Sequence, residues 1–121
     1  MDEREKQAEA ARKLGIGELR RHVLLCVGET CCSGEAGMAA WESLKTQIKE
    51  RGMTDCYRTK VGCLRVCIGG PVAVVYPEGV WYAGITADRV PQLVEEHLVE
   101  GRPIEEWTFA RNPLPNDNPS T

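Results

Sequence analysis

Six cysteines carry the most legible chemistry in this 121-residue sequence: Cys26, Cys31, Cys32, Cys56, Cys63 and Cys67. Five of them fall in or beside two short segments. Cys26 ends an apolar run, Cys31 and Cys32 precede a helical pattern, and Cys63 and Cys67 bracket Leu64-Arg65-Val66 among glycines. Thiolate is a soft ligand that suits iron–sulfur clusters and zinc. Four thiolates, two from each segment, would place one pair on each iron of a 2Fe–2S cluster. Zinc knuckles typically leave about two to four residues between ligands on both sides. Here the first pair is separated by four or five residues and the second by three. A centre with two metal ions spans the wider bite more easily, so the spacing favours a cluster. Zinc, thiol redox chemistry and inert thiols remain open on spacing alone. The two-residue gap of dithiol oxidoreductases is missing.

These residues need a scaffold that brings two loops together. The pattern 22–27 (HVLLCV) predicts a first strand, and 28–37 a loop. From about Met38 the period changes, with Met38, Trp41, Leu44 and Ile48 on one helical face. Gly52 supplies the stop. Residues 54–61 predict a second strand and 62–70 the second cysteine loop. Val72–Tyr76 is a continuous apolar run suited to a buried strand. Pro77-Glu78-Gly79 predicts a turn and Val80–Ala83 a hairpin partner. Thr86 is placed to cap a last helix with Val90, Leu93, Val94, His97 and Leu98 on its apolar face. Pro91 belongs near the start of that helix. The order β-α-β then β-β-α predicts a right-handed parallel crossover followed by a hairpin and helix. One four-stranded mixed sheet with helices packed on it is the economical α/β solution.

The ends are less structured in expectation. Residues 2–15 are good helix formers with a thin apolar stripe of Ala8, Ala11 and Leu14, read as a solvated helix. Beyond 108, Pro113, Pro115 and Pro119 among polar residues predict an extended tail, anchored locally by Trp107 and Phe109. The division is therefore 1–20 as an N-terminal extension, 21–108 as the domain and 109–121 as a C-terminal tail.

Composition narrows the function classes. Apolar residues make up 42% and the formal net charge is −3, with both signs interspersed. Nothing there offers a basic footprint for nucleic acid or a polybasic membrane patch. No apolar run approaches the roughly 20 residues of a membrane span. The beginning of the chain reads as neither a secretory signal nor an anchor, and cysteines outside an export context favour metal or redox chemistry in the cytoplasm. Arg20 and Arg21 lack the apolar segment of an export signal and are read as solvated. No nucleophile, general-base or phosphate-loop pattern appears, so an electron-transfer protein rather than an enzyme is expected.

From about His22 to Trp107, about 70% of the chain, the sequence resembles the thioredoxin-like 2Fe–2S ferredoxins of bacteria. The stretches that carry the resemblance are HVLLC (22–26), CCSGEAGMAAWESLK (31–45), GCLRVCIGGPVAVVYPEGVWYAGIT (62–86) and VEEHL (94–98). The third is the most specific, because it joins the cysteine pair to the Gly-Pro step, the apolar strand and the hairpin. The sequence is also similar, more loosely, to the small iron–sulfur subunit of Complex I and of related hydrogenases. The resemblance implies a thioredoxin-like fold and one 2Fe–2S cluster per chain on Cys26, Cys32, Cys63 and Cys67. The family register reaches Cys32 by counting back nine residues from Trp41; Cys31 would match the Complex I spacing instead. The resemblance further implies a one-electron carrier that serves redox partner proteins and forms a homodimer. The alternatives are an iron–sulfur subunit of a larger NADH dehydrogenase or hydrogenase complex, and a zinc-binding structural module.

The remaining candidates have plainer expectations. Cys56 reads as a small apolar strand residue. Arg65 is either a solvated loop side chain or a cation that favours the reduced cluster. Gly62, Gly69 and Gly70 can let backbone N–H groups approach sulfur. Leu64, Val66 and Ile68 form an apolar rim or face the core. His22 and His97 lie in apolar elements and read as structural histidines, and Trp81 and Tyr82 as packing residues.

Overall fold

The computed structural model describes residues 2–28, 34–66 and 68–114. Helix α1 spans Glu3–Lys13 and is capped by Asp2, whose carboxylate accepts the Glu5 N–H at 2.8 Å. Acidic residues in its first turn and basic ones in its last complement the helix dipole. It buries no residue, as the thin apolar stripe implies.

Strand β1 is Arg21–Cys26, helix α2 Gly34–Glu50 and strand β2 Cys56–Val61. The two strands are parallel, in a register that runs from Arg21 opposite Cys56 to Cys26 opposite Val61. Helix α2 makes the crossover, and Gly37, Ala40, Trp41, Leu44 and Ile48 form its buried face. Large side chains such as Leu44 and Ile48 each contribute about 1.5–3 kcal/mol on burial. Met38, expected on that face, sits at its margin and is 39% exposed. Gly37 and Ala40 take the close-packed positions against the sheet instead.

Strand β3 (Ala73–Tyr76) runs antiparallel to β1, and β4 (Val80–Tyr82) antiparallel to β3. Between them Gly79 takes φ +65°, and its N–H returns to the Val75 carbonyl at 2.8 Å. The peptide bonds before Pro71 and Pro77 are cis.

The expected four strands are in fact five. Thr108–Arg111 forms β5 on the free side of β4, giving the order β2-β1-β3-β4-β5. Residues 109–111, expected to begin the tail, therefore lie in the sheet. An edge strand pairs on one side only and needs no apolar run, which hid it in the sequence. A 3₁₀ turn at Glu105–Trp107 leads into it.

The last helix begins as a single α-turn, α3 (Val90–Leu93), and widens into a π-helical stretch over Val94–Val99. Pro91 sits in the first turn, where its missing N–H costs nothing. Thr86 does not cap this helix with its side chain as expected. Its carbonyl accepts the Arg89 and Val90 N–H groups, closing the preceding turn.

One face of the sheet carries Val23, Leu25, Ala73, Val75, Val80 and Tyr82 into the main core against α2 and the last helix. The opposite face presents half-buried His22, Leu24, Tyr57, Tyr76 and Trp81. Residues alternate between these faces because strand side chains have a period of two.

A chain of polar contacts crosses the far end of the core. Tyr82 Oη lies 2.7 Å from His97 Nδ1 and accepts the Ile104 N–H at 3.0 Å. His97 Nε2 lies 2.9 Å from Glu78 Oε1, and Arg21 grips both Glu78 oxygens at 3.1 and 3.2 Å. The Glu78 carboxylate can only accept, so Nε2 carries a proton, and burial favours the neutral ring, whose Nδ1 accepts the Tyr82 O–H. Arg21 is thus not the solvated side chain the sequence suggests: it is 11% exposed, while Arg20 stays at the surface near Asp55.

Candidate metal centre

The parallel β1–β2 pair starts the two cysteine segments from the same end of the sheet. Cys26 is the last residue of β1 and lies opposite Val61, the last of β2; Gly62 and Cys63 follow at once. The ladder continues one step further, with the Val27 N–H donating to the Val61 carbonyl at 2.9 Å. The loops then touch. A Cβ built on Gly28 would stand 1.9 Å from the Gly62 carbonyl oxygen and 3.8 Å from Cys26 Sγ. Only a residue without a side chain lets the first loop pass this close to the second.

Cys26 is fully buried and Cys63 is exposed. Cys26 packs with Val72, and half-buried Val61, Leu64, Val66 and Trp81 surround them in a small apolar cluster separate from the main core. Ile68, at 79% exposure, stands out from this group. Leu64 and Val66 therefore line the interior side of the loop, while Ile68 forms its rim.

The loop that carries Cys63 is shaped for a ligated sulfur. The Arg65 N–H donates to Cys63 Sγ at 3.2 Å, made possible by φ +73° at Arg65. A non-glycine residue in that region is strained by about 1–3 kcal/mol, which the surroundings must offset. The far end of the loop is pinned by β4's continuation: the Gly84 N–H donates to Gly69 O at 2.6 Å and the Ile85 N–H to Pro71 O at 2.8 Å.

Of the four expected ligands, the structure places Cys26 and Cys63 at the same sheet end. Cys32, its alternative Cys31, and Cys67 lie outside the described residues. Cys56 occupies the opposite end of β2 in the main core. Burial, and next the Asp55 charge, push its thiol up to about 11. His22 and His97 are both structural: His22 Nε2 is 2.7 Å from Thr59 Oγ1, and burial lowers the pKa of each.

Sequence reasoning missed the two main-chain features. One is the Arg65 amide on the Cys63 sulfur, at a residue read only for its side chain. Gly28 carries the close approach, and its only signal was a glycine two residues beyond a cysteine. The thiols, the amide on sulfur and the apolar lining fit a thiolate-ligated cluster, since hydrogen bonds to sulfur and restricted solvent access are what such clusters use.

Comparisons with known proteins agree. No family model matches the chain. The sequence is 34% identical to a 2Fe–2S ferredoxin of Aquifex aeolicus (strain VF5), over 78% of this chain and 94% of that protein. It is 33% identical to a putative 2Fe–2S ferredoxin of Priestia megaterium, over 72% and 68%. A more distant relative is the NADP-reducing hydrogenase subunit HndB of Solidesulfovibrio fructosivorans, 25% identical over 63% of each chain. In three dimensions the fold matches the thioredoxin-like [2Fe–2S] ferredoxin from Aquifex aeolicus with TM-score 0.72 and 28% identity, over 80% of this chain and 96% of that one. With Cys26 and Cys63 brought to one end of a thioredoxin-like sheet, the chain belongs to the 2Fe–2S ferredoxins, the family of small electron carriers.

Proposed function

We propose that this protein is a one-electron carrier that holds a single 2Fe–2S cluster on Cys26, Cys32, Cys63 and Cys67. The observation that carries this reading is the meeting of the Cys26 and Cys63 segments, with an amide already aimed at the Cys63 sulfur. The bound cluster supplies storage for one electron at low potential, roughly −400 mV by analogy with all-cysteine centres. The chain's own part is to supply thiolates, to donate the Arg65 N–H to sulfur, and to place an arginine where negative charge grows on reduction. Val61, Leu64 and Val66 shield the Cys26 side, while Cys63 faces the surface, where electrons enter and leave.

The carrier acts in the cytoplasm on redox partner proteins and catalyses no reaction on a substrate. Among the described residues no helix is long and apolar enough to cross a membrane. Residues 21–108 form the functional unit, completed by the short β5 strand. The half-buried sheet face with Leu24, Tyr57, Tyr76 and Trp81 suits a homodimer contact. A second reading, a subunit of a larger oxidoreductase, is favoured by the HndB similarity alone.

Anaerobic purification tests the proposal. A red-brown protein with about two irons and two acid-labile sulfides per chain, bleached on one-electron reduction, is expected. Colourless protein with one zinc overturns it, and co-purification with a flavin subunit moves it to the second reading.

A further inference from the structure

We infer that the β2 edge of the sheet is the docking surface for an acidic one-electron protein partner; this rests on the carrier reading above. Strand β2 is the last in the sheet, so one row of its backbone groups has no strand partner. Beyond buried Cys56, its helix-side residues are Arg58 and Lys60. The Arg58 guanidinium sits 5.4 Å from the centre of the Trp41 ring and the Lys60 ammonium 5.8 Å. Both charges are therefore held on an aromatic face and not by a carboxylate. Among the described residues neither makes an ion pair, and the Arg58 Nε–H is buried without an acceptor.

The same edge continues into a surface groove of about 510 Å³. Lys45, Lys49 and Arg58 line it together with Thr46, Met53 and Thr54, and no carboxylate does. Lys45 has a partner in Glu42 at 3.3 Å on the helix surface, which leaves Lys49 and Arg58 uncompensated within the groove. In the other direction β2 runs from Lys60 through Val61 and Gly62 to Cys63 and Arg65. A cationic stripe thus leads from the groove to the exposed cysteine.

This arrangement is informative because the chain as a whole is acidic, with a formal net charge of −3. Charge segregated against the net charge orients an encounter, bringing an acidic surface to one edge and repelling it elsewhere. The edge also ends at the cysteine loop, so a partner steered along it arrives where electrons leave. Nucleic acid fits less well. Trp41 is buried to 8% exposure beneath the two cations and offers no face for a base to stack on.

The experiment uses the iron–sulfur-loaded full chain, with reduced flavodoxin as the acidic one-electron protein donor and reduced methyl viologen as the small donor. Lys49→Glu/Lys60→Glu is the test variant, because both side chains are exposed and the fold does not depend on them. The variant is expected to be reduced by flavodoxin about ten-fold more slowly at low ionic strength, with the difference vanishing in high salt. Its reduction by methyl viologen and its visible spectrum stay unchanged. Carbodiimide coupling of the unmodified chain to flavodoxin, read by peptide mass spectrometry, is expected to join Lys49 or Lys60 to a flavodoxin carboxylate. Equal flavodoxin rates for the two proteins, cross-links confined to lysines other than Lys45, Lys49 and Lys60, or a short DNA duplex that binds in place of flavodoxin and is released by the variant each overturn the docking proposal. Failure of methyl viologen to bleach the loaded chain overturns the carrier reading instead.

Discussion

The main-chain N–H of Arg65 and the sulfur of Cys63 form a hydrogen bond two residues apart in sequence, and the left-handed backbone at Arg65 makes it possible. The side chain and the amide of one residue thus act on the same centre in different ways. Arg65→Gln keeps the amide and removes the cation, so the reduced, more negative state loses stabilisation. The midpoint potential is expected to fall by tens of millivolts in a spectroelectrochemical titration. Arg65→Pro removes the N–H and cannot adopt φ +73°, and is expected to abolish stable cluster loading. An unchanged potential in the first variant would show that the side chain is only solvated.

Gly28→Ala places a methyl group 1.9 Å from the Gly62 carbonyl, a contact no rotamer relieves. The two loops must separate, and Cys26 and Cys63 with them. Iron per chain after anaerobic reconstitution is expected to drop several-fold, while far-ultraviolet circular dichroism stays near that of the unmodified protein. Full loading of this variant would contradict the loop contact.

The Arg21–Glu78–His97–Tyr82 network sets a direction for pH dependence. Burial holds His97 below its ordinary value of 6.5, outweighing the opposing pull of Glu78. The unfolded chain therefore takes up this proton first, and stability falls as pH drops below about 6.5. Burial alone would raise Glu78, but hydrogen bonds from Arg21 and His97 outweigh it and hold the carboxyl below 4.5. Its contribution is present above that value and is lost on further acidification. Glu78→Gln leaves the mostly buried Arg21 charge unpaired and is expected to cost about 1–3 kcal/mol at pH 7. The cost should shrink on acidification below 4.5, as pH falls through the lowered Glu78 pKa, as read from thermal unfolding midpoints.

Cys32→Ser is expected to lose the visible spectrum, while Cys31→Ser keeps it. The reverse pattern would assign the second ligand to Cys31. Absorbance between 400 and 600 nm after reconstitution, an approximate window for thiolate-to-iron transitions, checks the pair.

Much of the fold was legible because its elements announce themselves by period. Trp41, Leu44 and Ile48 mark α2, the apolar run at 72–76 marks β3, and Gly79 marks the hairpin. The β5 strand was not, because Thr108–Arg111 pairs with β4 alone and three of its four residues face solvent. The cysteine spacing pointed to two loops, and the structure describes one expected ligand from each, Cys26 and Cys63, at the same sheet end. What the sequence did not show is long-range and made by backbone: Gly28 against Gly62, and the Gly84 and Ile85 amides against the loop's far end. Arg21 was misjudged for a similar reason. Its partner Glu78 lies 57 residues away, and only the sheet brings them together.

Among the described residues, buried Cys56 and exposed Cys63 stand at or just beyond opposite ends of β2 and differ in reactivity. Five strand residues, at about 3.3 Å each, put roughly 17 Å between them. With its proton held to about 11, Cys56 resists alkylation as long as the strand stays paired. Its carbamidomethylation by iodoacetamide therefore times the opening of the domain from within, a natural clock for unfolding that needs no engineered label.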